Sequence, residues 1–300
     1  KQFSAEELGD EFENLASLVN RFALQHPEIL LAMPERYVGD ELKKIKLTNI
    51  GLGDFIFGQD WYPTSRPVHS FGIWPIILGT IWVSLGALIF AIPVGIIVAI
   101  YLAEIADPRV RNLITPFIEL LAGIPSVIYG FFGLVVIVPG IQKAFDLPVG
   151  ETALAGSILL GIIALPTIIT IGEDAIRSTP SALKESSFAL GATHWQTIYK
   201  VIVPYSISGI VSAAILGVGR TVGETMAVLM VTGNAAQIPT SFLVPIRTIT
   251  ATIAAELGEA PQGGIHYQAL FLLACVLFIF TFLLNLLADW VANSQRHYKS

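Results

Sequence analysis

The chain has 300 residues, of which 54% are hydrophobic and only 13% charged; its mean hydropathy is +0.70, whereas soluble domains carry about 25% charged residues. This excludes an ordinary water-soluble enzyme and leads us to expect an all-α, polytopic membrane protein. The net charge of -6 offers no basic footprint for nucleic acid, and the single cysteine, Cys275, sits in an apolar run, which excludes a disulfide framework or a cysteine metal cluster.

Residues 1–66 form a polar, acidic extension. Ser4 and Glu7 make a capping-box pattern, and Leu8, Phe12, Leu15, Leu18 and Phe22 share one helical face until His26-Pro27 breaks the run, so a short amphipathic helix is expected. Its acidic polar face favours packing on a protein surface over binding a membrane surface.

Residues 67–292 read as the transmembrane domain, with charge-poor runs longer than the roughly 20 residues that cross a bilayer. Five spans are expected, at about 75–103, 112–138, 152–172, 201–231 and 260–288. Lipid cannot satisfy free backbone groups and short alternating segments are lacking, so all are helices. Basic residues cluster in the first and third connections (Arg109, Arg111; Arg177, Lys184, Lys200) and in the tail 293–300 (Arg296, Lys299), which places those parts in the cytoplasm and residues 1–66 outside. The extension carries no apolar segment to translocate it, so a further span or signal upstream of Lys1 is expected. Pro93, Pro125 and Pro166 lie inside spans, where they permit bending.

Motifs for phosphate cradling, zinc proteolysis and acyl transfer are missing. The run GVGRTVG (217–223) has the wrong spacing for a dinucleotide loop, lies in a span, and suits close helix approach instead.

The third connection, with a hairpin at 178–200, reads as helix, turn, helix. Thr179 caps a helix that Pro180 starts, Gly191 ends it in a left-handed position, and Thr193 with Gln196 forms a second capping box. Glu185, the small Ser186 and Ser187, Gly191, then Val201, Val203 and Pro204 resemble the EAA motif of ABC importer permeases. That resemblance implies a coupling helix seated in a groove of a cytoplasmic ATPase, with Glu185, Ser186, Ser187 and Gly191 carrying the role. A plain surface helix ending in a glycine turn would also account for Gly191.

Arg220 and Glu224 lie more than one turn inside the fourth span, at a spacing that puts both on one face of a helix, with the hydroxyls of Thr221 and Thr225 nearby. Ionisable groups at membrane depth cost a few kcal/mol and face a pathway or a partner. A guanidinium suits a tetrahedral oxyanion through planar, bidentate hydrogen bonds; a structural ion pair to a neighbouring span is the other reading. Glu119, the one ionisable group of the second span, is a further candidate partner.

GRTVGETMAVLMVTGN (219–234), PIRTITATIAAE (245–256), the segment from His266 to Trp290, LLAGIPSVIYGFFGL (120–134) and residues 54–80 resemble the C-type permease of the phosphate-specific ABC transporters, the PstC family, over residues 51–292. The resemblance implies a type I ABC importer permease fold, with the family's first span missing from this chain. It implies an inner-membrane subunit of an ATP-driven phosphate importer that binds no cofactor itself and leaves ATP to its partner. The implied partners are an A-type permease, a cytoplasmic ATPase dimer and an extracytoplasmic phosphate-binding protein, besides membrane lipid. Permeation of another oxyanion, an intramembrane enzyme using Glu224 as a base, and a passive anion channel are the competing readings.

Overall fold

The computed structural model describes residues 15–26, 51–65 and 69–294. It divides into two compact units, one of residues 1–51 and 62–70, the other of residues 52–61 and 71–300. In the first unit α1 (Leu15–Gln25) carries Leu18 and Phe22 of the expected amphipathic face and stops just before His26-Pro27, with the rings of Phe22 and His26 in edge contact at 4.5 Å. Ser4, Glu7, Leu8 and Phe12 lie outside the described residues.

The second unit is helical and opens with the short α2 (Leu52–Phe57); β1 (Trp61–Tyr62) and β2 (Ser70–Phe71) pair in a small two-stranded ribbon. α3 (Trp74–Ile100) starts with Pro75 in its first turn, where a missing N–H costs nothing, and continues through a π-helical turn at Tyr101–Ile105. α4 (Pro108–Gly123) is capped by Asp107, whose carboxylate accepts from the Arg109 N–H at 2.8 Å. Next come α5 (Ser126–Phe132), a π turn at Gly133–Ile137, α6 (Val138–Phe145) and α7 (Ala153–Arg177). α8 (Ser181–Ala189) and α9 (His194–Thr197) form the hairpin; a third π turn at Ile198–Ile202 leads into α10 (Val203–Gly223). α11 (Met226–Val231), α12 (Ile249–Glu256) and α13 (Ile265–Ser294) complete the order.

Among the described residues, five stretches are long and apolar enough to cross a membrane: Trp74–Ile105, Ser126–Phe145, Ala153–Arg177, His194–Gly223 and Ile265–Leu283. Two of the expected spans are broken within their bounds, and the last begins at Ile265 rather than at about 260. The run read as one span at 112–138 is divided at Ile124-Pro125, where the proline ring pushes Ile124 out of the helical region to ψ 129°, and the apolar crossing segment begins only at Ser126. The run read as one span at 201–231 breaks at Glu224, with ψ 135°, so α10 ends at Gly223 and the short α11 follows as a separate piece.

α7 is the central helix, packed along α3 and α10. Its Ser157 hydroxyl lies 2.8 Å from the Ala153 carbonyl and 3.2 Å from that of Val83 on α3, tying the two helices together. Val83 and Ala87 of α3 meet Leu159, Leu160 and Ile163 of α7, Tyr129 of α5 and Val228 of α11 in the main core. Gly130 allows α5 to lie against α11, since a Cβ there would fall 2.7 Å from the Met230 sulfur and 3.1 Å from the Ala227 Cα. Outward faces remain apolar, with Ile89, Ile97 and Phe278 exposed, as lipid contact requires.

Candidate functional site

α10 brings Arg220 to the last turn before the break in the fourth span. Its Nη1 donates to the Thr167 hydroxyl on α7 at 3.3 Å, while its Nε–H is buried with no hydrogen-bond partner. The Tyr129 hydroxyl of α5 donates to the Leu121 carbonyl at 2.8 Å, satisfying an end of α4 at the Ile124-Pro125 break. Helical backbone is thus interrupted twice, at Ile124-Pro125 and at Glu224, and Arg220 sits in the last turn before the second of these. Irregular backbone at membrane depth persists only where it is buried in protein or lines a water-filled cavity.

The second interruption is satisfied by side chains. The Glu224 carboxylate accepts from the Thr225 N–H at 3.0 Å, the Thr225 hydroxyl donates to the Gly223 carbonyl at 3.3 Å, and the Glu224 carbonyl accepts from the Thr250 hydroxyl of α12 at 2.7 Å. The expected shared face of Arg220 and Glu224 is thus not realised as a continuous helix, because the chain leaves the helix one residue before the carboxylate. Among the described residues the ion pairs are Glu173–Arg177, Glu104–Lys184 and Glu256 with Arg247 and His266, so Arg220 and Glu224 are not joined by a salt bridge. Thr221 is buried and spends its hydroxyl on the Val218 carbonyl at 2.9 Å. Glu119 lies exposed on α4. Thr167, Tyr129 and Thr250 were not singled out from the sequence; the signal for Thr167 was a hydroxyl directly after Pro166 in an otherwise apolar span.

At the other end of α10 the hairpin is a built unit. Gly191 has φ +81°, and the Thr193–Gln196 capping box is complete, with bonds of 3.3 and 2.9 Å. The helix start differs by one residue: Pro180 holds the cap position of α8 and the Thr179 hydroxyl is buried without a partner, because the proline's fixed φ sets the helix start without a side-chain cap. Ser187 is buried and bonds the Thr197 hydroxyl at 2.9 Å, locking α8 to α9, whereas Ser186 returns its hydroxyl to the Ala182 carbonyl. Lys184 reaches Glu104, in the π turn that follows α3, at 2.6 Å. Glu185 is left exposed beside an apolar surface of Leu183, Phe188, Leu190 and Trp195, with Leu190 89% exposed.

The model of the family described as "Binding-protein-dependent transport system inner membrane component" matches residues 91–297. The chain is 39% identical over 243 residues to the "Probable ABC transporter permease protein YqgH" of Bacillus subtilis, covering 81% of this chain and 78% of that protein. It is 37% identical over 256 residues to the "Phosphate transport system permease protein PstC" of Mesorhizobium japonicum, with coverage of 79% and 77%. Among solved structures it resembles inward-facing MetNI methionine ABC transporter chains, at a TM-score of 0.54 and 22% identity, covering 74% of this chain and 94% of that one, which establishes the fold.

A bundle of apolar helices with this fold and a structured hairpin defines a multi-pass inner-membrane permease of the type I ABC importer class, a transport component and not an enzyme. The chain belongs to the family of binding-protein-dependent transport system inner membrane components. Membership of the ABC importer permease class implies an ATPase and a binding protein as partners.

Proposed function

We propose that the chain is the C-type permease subunit of an ATP-driven phosphate importer. The observation that carries the reading is Arg220: a partly buried guanidinium in a broken span, whose Nε–H is buried and unpartnered, in a chain with several PstC relatives. An anion leaving water for a low-dielectric passage needs replacement donors, and a guanidinium supplies them in a planar fork. Arg220 attracts and orients phosphate, the hydroxyls of Thr221, Thr225 and Thr167 line its surroundings, and Glu224 shapes the break. This chain forms half of the pathway and pairs with an A-type permease. It binds no cofactor; ATP is consumed by the partner ATPase, whose closure moves the hairpin at Glu185, Ser186, Ser187 and Gly191 and opens the pathway outward.

Uptake of labelled phosphate by the transporter reconstituted in vesicles tests the reading. Uptake is expected to require ATP and the binding protein and to be outcompeted by unlabelled phosphate; uptake driven by a gradient without ATP would fit a passive channel and reject it.

The basic residues around the hairpin support a cytoplasmic location for it and an extracytoplasmic one for residues 1–66. In a Cys275→Ser background, which removes the exposed native thiol, an impermeant thiol reagent is expected to label Ser181→Cys only from the cytoplasmic side. Thr64→Cys and Gly258→Cys, at exposed positions, are expected to react only from outside. Labelling of Ser181→Cys from outside would reverse the orientation and remove the hairpin from the ATPase.

A further inference from the structure

Away from the hairpin, a densely bonded ionic group among the described residues surrounds Glu256, the last residue of α12. The indole N–H of Trp61 donates to both carboxylate oxygens, at 3.1 and 3.0 Å. Arg247 donates to Oε1 through Nη1, and His266 Nε2 lies 2.9 Å from Oε2. All three charged or ionisable side chains are mostly buried, Glu256 being 16% exposed. Arg247 also donates through Nε to the Asn234 carbonyl at 2.9 Å. This hub joins chain segments from β1, α12, α13 and the connection after α11.

The other end of α12 is equally fixed. The Ile249 N–H donates to the Thr80 hydroxyl of α3 at 3.0 Å, and Thr248 caps the helix through the Ala251 N–H. The residue after Ile249, Thr250, is 6% exposed and gives its hydroxyl to the Glu224 carbonyl. That carbonyl has lost its helical N–H partner because the span breaks there, so the Thr250 hydroxyl stands in for it. Gly79 of α3 permits the arrangement, since a Cβ at that position would fall 2.3 Å from the Arg247 carbonyl oxygen. α12 therefore spans the roughly 9 Å from Thr250 to Glu256 as a rigid helix, gripped by hydrogen bonds at both ends.

We propose that α12 is a strut through which the Glu256 hub sets the geometry of the Glu224 break, making Thr250 and Glu256 positioning residues for the Arg220 site. The proposal rests on the reading of that site as the anion pathway. A change at the hub shifts α12, and the hydroxyl of Thr250 passes the shift to the backbone beside Arg220. A hub that served only local packing would leave the break unaffected.

A thiol beside the break reports its geometry without reference to transport. Gly223→Cys in the Cys275→Ser background suits this, because a Cβ at Gly223 meets nothing within 4 Å. In the assembled complex, Glu256→Gln is expected to change the rate of modification of that thiol by a thiosulfonate reagent about fivefold, the size of effect that coupled residues produce. Trp61→Phe, which keeps the ring and removes only the N–H, is expected to change it about twofold in the same direction. Both responses are expected to vanish in Thr250→Val and to persist in Thr250→Ser, which retains the hydroxyl. An unaltered rate in Glu256→Gln, or an undiminished response in Thr250→Val, overturns the proposal. If Glu256→Gln does not assemble, Trp61→Phe decides alone, an unchanged rate refuting the strut. Native uptake in Arg220→Gln would instead reject the pathway reading, and the thiol measurement does not depend on that result.

Discussion

Replacing Arg220 by glutamine is expected to lower phosphate uptake about 100-fold in complexes that assemble at native yield, as the loss of two charge-assisted hydrogen bonds of about 1.5 kcal/mol each would do. Arg220→Lys is expected to recover part of the activity, since lysine keeps the charge and loses the fork. The geometry also fixes what the double substitution does. Arg220 bonds Thr167 and leaves its Nε–H free, while the Glu224 carboxylate turns back to its own chain at Thr225. With no direct pair to relieve, Arg220→Gln with Glu224→Gln is expected to transport no better than Arg220→Gln alone. Uptake at the native rate by the double variant would identify the two residues as mutual structural supports and refute the pathway role. Rates of labelled phosphate uptake, normalised to purified complex, decide between these outcomes.

The second large effect is expected at Gly191. Its φ of +81° lies in the left-handed region, but a Cβ there meets nothing within 4 Å. Strain and crowding are therefore separable at this position. Gly191→Val is expected to cost about 1–2 kcal/mol of backbone strain, to distort the hairpin, and to reduce both ATPase copurification and uptake about tenfold or more. Gly191→Asn adds similar bulk but tolerates the left-handed conformation, and is expected to behave nearly as the native protein. Equal copurification for the valine and native chains would show that the hairpin turn does not hold the ATPase.

Local chemistry was legible in the sequence and long-range chemistry was not. The five apolar stretches stand out because charges are scarce in them, and the Thr193–Gln196 box because both partners lie within one turn. The break at Ile124-Pro125 carries its cause in the chain, as a proline acting on its neighbour, although the run of apolar residues concealed it. The break at Glu224 has no such marker. It is supported by Thr250, 26 residues on, and Thr250 in turn belongs to a helix held by Trp61, which lies 195 residues from Glu256. Side chains that meet across such separations leave no periodicity to read. The i, i+4 spacing of Arg220 and Glu224 suggested a helical pair for that reason, and tertiary hydrogen bonding overrode it.

The π-helical turn at Ile198–Ile202 has a consequence for anyone building chimaeras of this permease. A single residue wound into such a turn rotates everything beyond it by about 100° relative to an uninterrupted α-helix. The azimuth of Arg220 about α10 is therefore set partly by residue count within 198–202, between the Thr193 cap and the start of α10. A hairpin transplanted from another transporter with one residue fewer there would join smoothly, keep its capping box, and aim the guanidinium at a different neighbour. Phase along the helix, as much as the identity of its residues, is part of what this chain encodes.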